Sequence, residues 1–346
     1  MKGEVRIGIS GWNYAGWRGV FYPKGLPHRR ELEFASRAFN SIEINGSFYS
    51  LQRPTSYRRW NEETPENFLF SVKGGRFITH MKRLREVEVP LANFFASGIL
   101  AFEEKLGPIL WQFPPNFGWN EKRFREFFQL LPKTTREAAL LGRRHDSKLK
   151  MRAWLKVKCD RALRYCVEIR HVTFLVPDFF ELLREFNVAF VFADTAGKWP
   201  YTEDLTADFV YCRLHGDTQL YASGYSARAL GWWAARLKLW RKGQQPTNAK
   251  LVAAKTKSEP RDLFVYFDND AKVHAPFGAQ TLLRKMKCRA MSFQAMEGGA
   301  PATPVAIAPR RSSPLHDHAP WKLCSPRREK TKARKIPAGC QRFTCA

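Results

Sequence analysis

The sequence predicts a (β/α)8 barrel, the fold also called a TIM barrel. Eight short apolar strands recur along the 346-residue chain, and segments of helical character separate them. Most of these strands end in a polar or charged residue. A strand followed by a helix, repeated eight times, is typical of a closed parallel barrel, which needs about 250 residues. Functional side chains in such barrels lie at the carboxyl ends of the strands, so the same pattern locates the candidate site.

Each predicted strand is a run of apolar residues that stops at a charged or turn-forming residue. The predicted strands are 5–9, 41–45, 68–73, 108–113, 165–170, 188–194, 209–215 and 263–267. The fourth stops at Pro114 and Pro115, because proline cannot donate a hydrogen bond to a neighbouring strand.

Helices are expected between these strands. The predicted helices are 32–39, 121–131, 177–186, 226–241 and 275–286. Pro177 suits the first turn of its helix, where a backbone N–H is not required. The strongly basic stretch 134–164 is predicted to be helical on both sides of a loop at 142–150, and 242–260 is predicted to be a loop.

Composition separates a barrel domain, 1–286, from a basic tail, 287–346. The tail is rich in Ala, Pro, Gly and Ser and shows no helical or strand period, which predicts disorder. The net charge of the whole chain is +26; the tail carries +9 of it, and the barrel domain the remaining +17. A basic surface of this kind attracts polyanions, so nucleic acid is a candidate partner.

The compartment expected from the sequence is the cytoplasm. The chain starts without a basic segment followed by a long apolar run, so no signal peptide is predicted. Its seven cysteines are dispersed and form no CxxC pair, which favours reduced thiols. The longest apolar-looking run, 91–102, is too short to span a bilayer, so no membrane association is expected.

Side chains alternate between the two faces of a strand, which predicts where the charged residues point. In the second strand Ile42 and Ile44 share one face, and Glu43 lies on the other. A charged face cannot pack against the helix layer without a large desolvation cost. The inward-pointing residues at the mouth are therefore predicted to be Glu43, Glu168, Arg170, Arg213 and His215, joined by Lys73, Gln112, Asp194 and Tyr266.

These residue types predict a site for an anionic substrate. Glu43, Glu168 and His215 are the candidate acid/base residues. The candidate substrate-binding residues are Asn45, Lys73, Gln112, Arg170, Asp194, Arg213, Tyr266 and Asn269. Arginine binds phosphate or carboxylate groups in a bidentate manner. An aromatic rim of Trp12, Tyr14, Phe48 and Tyr49 is expected to stack on a sugar or a base, or to pack as a lid.

Simpler structural roles are alternatives for several of these residues. Glu168 and Arg170 could form a salt bridge that only closes the barrel. Lys73 could hold a phosphate or form a Schiff base, and anion binding is favoured because Glu43 or Glu168 would keep it charged. The cofactor is unknown: a divalent ion held by Glu43, Glu168, Asp194 and His215 is an alternative that competes with the interleaved cations.

Motifs of several well-known enzyme classes are absent from the sequence. It contains no GxxxxGK[ST], HExxH or GxSxG, no zinc-type Cys/His spacing and no GxGxxG after a strand. Their absence argues against P-loop enzymes, zincins, α/β-hydrolases and Rossmann enzymes.

A set of ordered motifs carries a family resemblance across residues 5–286. The motifs include Gly11-Trp12-Asn13-Tyr14, Ser41-Ile42-Glu43-Ile44-Asn45, Val72-Lys73, Gln112-Phe113-Pro114-Pro115, Glu168-Ile169-Arg170-His171, Ala193-Asp194-Thr195 and Phe267-Asp268-Asn269-Asp270. They resemble the YecE-like family of uncharacterised TIM-barrel proteins. The resemblance implies the fold and the location of the site but no settled reaction. Asp268 departs from the family pattern, which has asparagine there, and this change is expected to alter a polar contact at the mouth.

Three hypotheses for function follow. The first is an enzyme acting on a phosphorylated or otherwise anionic substrate, with hydrolysis of a phosphoester, either in a small molecule or in a nucleic acid, as the favoured reaction. The second is an isomerase or lyase of a small sugar acid or sugar phosphate. The third is a non-catalytic nucleic-acid-binding protein that uses 134–164 and the tail as phosphate contacts.

Overall fold

The barrel predicted from the sequence is confirmed by a computed structural model, which describes residues 3–149 and 152–288. Within these residues the parallel strands close in sequence order, with β8 paired to β1. The strands are β1 Val5–Ser10, β2 Ser41–Ile44, β3 Leu69–Lys73, β4 Leu106–Gln112, β5 Tyr165–Glu168, β6 Val188–Asp194, β7 Phe209–Leu214 and β8 Asp262–Phe267. The predicted tail beyond residue 288 lies outside the described residues.

Helices cover the outside of the barrel. They are α1 Glu31–Ala38, α2 Gly46–Tyr49, α3 Pro54–Glu62, α4 Glu88–Ala96, α5 Glu121–Leu130, α6 Thr135–Gly142, α7 Pro177–Glu185, α8 Ala227–Arg241 and α9 His274–Lys285. A π-helical turn, Phe77–Met81, follows β3, and a 3-10 segment, Ile99–Lys105, precedes β4. Among the described helices, none is both long and apolar enough to cross a bilayer.

Local sequence explains where several helices begin. The side chains of Asn120, Thr134 and Ser226 accept hydrogen bonds from backbone N–H groups three residues later, at 3.0 to 3.2 Å. These contacts satisfy N–H groups that the first turn of a helix leaves without partners. Pro177 occupies the first turn of α7, as predicted.

The second helical part predicted for the basic stretch 134–164 is wrong. Helix α6 ends at Gly142, and after a short turn at Ser147–Leu149 residues 152–164 contain no helix. Their backbone bonds to distant segments instead: Trp154 N–H donates to the Ala96 carbonyl at 2.8 Å, and Leu163 N–H to the Lys133 carbonyl at 2.8 Å. Tertiary pairing therefore replaces the helical hydrogen bonds here.

Strand alternation divides the core into two layers. Cys212 and Leu214 of β7 are buried in the large cluster between the strands and the helices, so Cys212 packs there as a small apolar residue. Tyr211 belongs to a smaller cluster inside the barrel, together with Phe264 and Tyr266 of β8. The inner face therefore passes from aromatic packing to charged residues toward the carboxyl end of β7.

Candidate functional site

Four side chains from four strands meet at the carboxyl end of the barrel around Arg213. Its guanidinium donates to Glu43 Oε1 at 2.9 Å and to Glu168 Oε2 at 2.7 Å. The Arg213 Nη2 atom also lies 3.3 Å from the hydroxyl of Ser10, which donates to Glu43. Glu43, Glu168, Arg213 and Ser10 are completely buried. The ionisable residues of separate strands thus converge on one point, as strand alternation predicts.

A tyrosine inside the barrel completes the coordination of Glu43. The Tyr211 hydroxyl donates to Glu43 Oε2 at 2.6 Å and lies 2.6 Å from the hydroxyl of Ser71. Glu43 therefore receives hydrogen bonds from arginine, tyrosine and serine. A buried carboxylate with this many donors is held in one position.

Asp268 adds a third carboxylate to Arg213. Its Oδ2 atom accepts from Arg213 Nη2 at 2.7 Å and lies 3.0 Å from His215 Nδ1, while His215 Nε2 lies 3.4 Å from Arg213 Nη1. The sequence predicts that Asp268 alters a polar contact at the mouth, and the residues it contacts there are Arg213 and His215. It did not indicate that His215 would have a carboxylate beside it as well as a cation.

The electrostatics of this cluster favour the ionised forms of Glu168 and Asp268. Burial alone would raise the pKa of Glu168, but Arg213 and Arg170 outweigh it and hold that pKa well below its usual range. Burial would likewise raise the pKa of Asp268, but Arg213 and His215 outweigh it and lower that pKa. Burial works against the charge on Arg213, yet Glu43, Asp268 and Glu168 raise its pKa. Ion pairs and hydrogen bonds therefore hold these side chains in one arrangement. We call Glu43, Glu168, Arg213 and Asp268 the ionic floor.

A cavity of about 800 Å³ opens above the ionic floor. Its apolar and aromatic lining is Tyr14, Phe48, Tyr49, Met81 and Tyr221. Its polar lining is Asn45, Lys73, Arg76, His80, Gln112 and Arg170, and Asp268 and Asp270 lie on the remaining side. This volume is within the range of cavities that bind small molecules.

Lys73 is the buried cation of this cavity, and within the described residues it has no carboxylate partner. It is 8% exposed, and within the described residues its Nζ atom makes no hydrogen bond or ion pair; it lies 4.4 Å from the centre of the Phe48 ring. Burial lowers the pKa of Lys73 to about 8, and Arg213 acts in the same direction, while Glu168, Glu43 and Asp268 offset only part of the effect. Glu43 and Glu168 act to keep Lys73 charged, as expected, but both are bound to Arg213 and their effect is smaller than that of burial.

Asp270 and Tyr14 line the same cavity, but their pKa values are raised, whereas that of Lys73 is lowered. Burial, together with the charge of Asp268, raises the pKa of Asp270 well above its ordinary value. Its Oδ1 atom is buried without a hydrogen-bond partner among the described residues. The Tyr14 hydroxyl donates to the Ser10 carbonyl at 2.6 Å, and burial raises its pKa. The raised pKa makes Asp270 a better candidate for a proton donor than an ordinary aspartate.

Arg170 is held in a fixed position at the cavity wall. It donates to Glu168 Oε1 at 3.0 Å, and its Nη2 atom lies 3.4 Å from the Tyr221 hydroxyl. Its guanidinium stacks on Trp199, with 3.7 Å between the carbon Cζ and the ring centre. A stacked and paired guanidinium loses little further freedom when it binds an anion.

Two amides and a histidine complete the polar lining. The oxygens Oδ1 of Asn45 and Oε1 of Gln112 are buried without donors among the described residues. Asn45 donates through Nδ2 to Ser10 Oγ at 3.0 Å. Burial, Lys73 and Arg170 lower the pKa of His80 to about 4, so its imidazole is neutral at physiological pH.

Several residues predicted for the site lie elsewhere. Asp194 accepts from Trp233 Nε1 at 3.2 Å and from the Tyr225 hydroxyl at 3.1 Å, and it lines a separate cavity of about 440 Å³ beside α8. Tyr266 lies deeper in the barrel, 2.6 Å from the Ser41 hydroxyl. Asn269 donates to the Ser223 carbonyl at 2.8 Å and does not line the mouth cavity.

The aromatic rim is divided between packing and exposure. Trp12 packs edge-on against Trp60, with 5.2 Å between ring centres, and lies outside the cavity lining. Phe48 is largely buried beneath Lys73, whereas Tyr49 is 66% exposed with Arg76 over its ring. Only part of the rim is therefore accessible for stacking on a ligand.

The set of residues considered for a divalent ion does not converge. Arg213 occupies the space between Glu43 and Glu168, and Asp194 faces α8. Among residues 3–149 and 152–288, no three His, Cys, Asp or Glu side chains form a group suited to a metal. These residues therefore do not fit the proposed ion site.

Comparison with known proteins now identifies the family. Residues 6–303 match the family described as "Protein of unknown function DUF72". The chain belongs to the DUF72 family. Curated relatives include the UPF0759 protein YunF of Bacillus subtilis (strain 168), 31% identical over 121 residues, and the UPF0759 protein YecE of Escherichia coli (strain K12), 29% identical over 117 residues.

These curated matches are partial. They cover 33% and 34% of this chain, and 41% and 40% of YunF and YecE, so the aligned part is about two-fifths of each relative. The resemblance to the YecE-like family stated from the motifs is confirmed at the level of the family.

Solved DUF72 structures share the fold. A DUF72 family protein from Thermotoga maritima is 23% identical with a TM-score of 0.61, covering 82% of this chain and 99% of its own. Another from Enterococcus faecalis is 14% identical with a TM-score of 0.60, covering 82% of this chain and 96% of its own. At these identities the DUF72 structures support the fold alone.

Proposed function

We propose that this DUF72 protein is an enzyme, an isomerase or lyase of a small sugar acid or sugar phosphate. The observation that carries the proposal is that Lys73 and Asp270 line one cavity, where the pKa of Lys73 is lowered and the pKa of Asp270 is raised. A base whose pKa is lowered toward neutrality and an acid whose pKa is raised from its ordinary value form the kind of pair that proton transfer at carbon requires.

The cations of the cavity fit the anionic group of such a substrate. Arg170 is fixed by Glu168 and Trp199, and Arg76 lines the same cavity. The unpartnered amide oxygens of Asn45 and Gln112 would accept hydrogen bonds from the hydroxyl groups of a sugar. A ligand that combines hydroxyls with a phosphate or carboxylate therefore matches both parts of the lining.

The ionic floor explains why this reaction is preferred over hydrolysis by Glu43 or Glu168. Both carboxylates are fully buried and bound to Arg213, so neither is free to activate a water molecule. They act instead by holding Arg213 in place and by setting the electrostatic environment of Lys73.

Hydrolysis of a phosphoester is the second candidate, favoured by a basic groove beside the mouth. Met81 belongs both to the mouth cavity and to a groove of about 620 Å³ that is lined by Lys82, Arg83, Arg85 and Arg123. A polymeric phosphodiester could follow this groove into the cavity, with Asp270 protonating the leaving oxygen.

A panel of sugar acids, sugar phosphates and phosphoesters tests both candidates. Each compound is first screened by thermal shift, and the ligands that bind are then incubated in D2O and followed by proton NMR and by release of inorganic phosphate. The proposal expects loss of a carbon-bound proton signal without phosphate release, abolished in Asp270→Asn. Phosphate release would favour the second candidate. If no anionic compound stabilises the protein, the proposal is wrong.

An exposed arginine provides a matched control. Arg85 lines the groove outside the cavity, so Arg85→Gln should leave turnover of a small substrate unchanged while Arg170→Gln raises its KM. Equal effects of the two variants would contradict the assignment of Arg170 to the anionic group.

A further inference from the structure

We propose that Lys73 forms a covalent imine with a carbonyl group of the substrate. The substrate class is then an aldehyde or ketone that also carries a carboxylate or a phosphate. This inference rests on the proposed function and deepens it, because it assigns a nucleophile to the same cavity.

The first argument is that the Lys73 amine lacks competing partners. It lines the mouth cavity, is 8% exposed, and makes no hydrogen bond or ion pair within residues 3–149 and 152–288. Its contact is the face of Phe48, at 4.4 Å. An amine that acts only as a structural cation is normally bound to a carboxylate or to carbonyl groups when buried. An amine left free and pointed at a cavity can react.

Lys105 shows the contrast within the same chain. Burial also lowers the pKa of Lys105, but its Nζ atom donates to the carbonyl oxygens of Asn61 at 2.5 Å and Thr64 at 2.8 Å. It also lies within 3.3 Å of the Thr64 hydroxyl. Its electron pair is therefore not available to a ligand, and it does not line the mouth cavity.

The second argument is that the backbone around Lys73 is rigid. The carbonyl of Lys73 accepts from the Ser47 hydroxyl at 2.6 Å. The next residue, Gly74, packs so closely on Trp111 that an added Cβ would lie 2.2 Å from its ring. A nucleophile on a fixed strand end keeps its position relative to Arg170, which binds the anionic group.

The third argument is the charge environment of the amine. The ionisable groups that influence it are Arg213, Glu168, Glu43, Asp268 and His80, and the cavity lining adds Arg76, Arg170, Asp270, Tyr14 and Tyr221. With a pKa of about 8 in place of 10.5, about 300 times more free amine is present near neutrality than in an ordinary lysine. Free amine is the form that attacks a carbonyl carbon.

The reaction step balances as a condensation. The neutral amine of Lys73 attacks the carbonyl carbon, and its electron pair forms the new C–N bond while the C=O electrons move to oxygen. The nitrogen, positively charged after the attack, gives a proton to that oxygen, which yields a neutral carbinolamine. Asp270 then protonates the hydroxyl so that it leaves as water, and the proton that the Lys73 ammonium released before the attack restores Asp270. The nitrogen pair forms the C=N bond. Overall, the ammonium form and the carbonyl compound give a protonated imine and one water.

Reductive trapping tests the inference. The full chain is incubated with dihydroxyacetone phosphate or pyruvate, reduced with sodium borohydride, and mapped by peptide mass spectrometry. We expect a secondary-amine adduct at Lys73 with at least one probe, absent in Lys73→Met and Lys73→Arg and unchanged in Lys105→Gln. Lys73→Met removes a buried charge at similar volume, and Lys73→Arg keeps the charge without a comparable nucleophile.

The outcomes separate this inference from the proposed function. Adducts spread over exposed lysines at the same level in Lys73→Met would overturn the imine. Turnover that persists in Lys73→Arg would also overturn it, yet would leave the isomerase or lyase assignment standing. Trapping at Lys73 without proton exchange or bond cleavage for any compound of the panel would support the imine and refute the proposed reaction.

Discussion

Replacing Lys73 with methionine should stabilise the protein at neutral pH. Most substitutions at buried strand ends destabilise, but here the native residue is a buried cation without a partner. Its pKa is lowered from 10.5 to about 8, which means that the folded state disfavours the charged amine. Each pKa unit corresponds to about 1.4 kcal/mol, so the charge costs about 3 kcal/mol at pH 7. Methionine has a similar length and no charge, so that cost disappears.

The pH dependence distinguishes this charge effect from packing. In the unfolded chain Lys73 titrates near its ordinary value of 10.5, and in the folded chain near 8. Below pH 8 both states are protonated, and the penalty is complete. Between pH 8 and 10.5 the folded state has released its proton, so the penalty shrinks, and above 10.5 it is gone. The advantage of the methionine variant should therefore be largest below pH 8 and mostly lost by about pH 10.

Urea unfolding followed by tryptophan fluorescence measures the effect at pH 7 and pH 10. At pH 7 the free energy of unfolding should rise by about 3 kcal/mol, which is about 6 °C in Tm for a domain of this size. Lys105→Met is the control: it leaves the carbonyls of Asn61 and Thr64 without donors and should destabilise by about 1–3 kcal/mol. A Lys73→Met protein that is less stable at pH 7, or whose gain is equal at both pH values, would refute the reasoning.

Three further predictions concern the ionic floor and its neighbour. Arg213→Met leaves buried carboxylates uncompensated and should cost at least about 3–5 kcal/mol, seen as a lower urea midpoint or a failure to fold. The pKa of Glu168 is lowered in the folded state, so its ionised form stabilises the protein above the ordinary carboxyl pKa, and this stabilisation is lost as the pH falls. Glu168→Gln should therefore be less stable than the native protein at pH 7. In acid titrations from pH 5 to pH 2 it should lose stability less steeply. Trp199→Leu removes the surface on which Arg170 stacks, so it should raise the KM for an anionic substrate with little change in kcat, whereas an equal loss in kcat would contradict a positioning role.

The fold was predictable because its signals are local and repeated. Each strand is a short apolar run with a charged or turn-forming boundary, and the observed strands match the predicted ones within about two residues at each end. Helices α3 and α4 were missed. Pro54–Glu62 is largely polar, and Glu88–Ala96 contains a proline in its first turn followed by residues that are buried on all sides. The second segment lacks the one-sided apolar period by which a surface helix is recognised, and in the first that period rests on few apolar residues in a short polar stretch.

The convergence of charged side chains at the site was predictable for the same reason, but which of them form ion pairs with one another was not. The two-residue period places Glu43, Glu168 and Arg213 on the inner face whatever their partners are. Alternation does not say which carboxylate binds which cation, because that depends on strand stagger around the closed barrel. The prediction for Asp194 was wrong because it shares a face of β6 with Phe190 and Phe192, which pack outside the barrel, so the two-residue period directs it toward Trp233 of α8.

The ion pairs within the ionic floor explain why Lys73 has no carboxylate partner among the described residues. Glu43, Glu168 and Asp268 carry three negative charges, and Arg213 binds all three of them, while Arg170 shares Glu168. Lys73 is the remaining cation of this group, so it feels the carboxylates at a distance without contacting them. Formation of a protonated imine keeps one positive charge at the same place, so the three carboxylates stabilise the imine as they stabilise the ammonium. Burial and Arg213 outweigh this attraction and leave the net environment unfavourable to a cation at this nitrogen, so conversion of the protonated imine to a neutral enamine by loss of a carbon-bound proton is favoured.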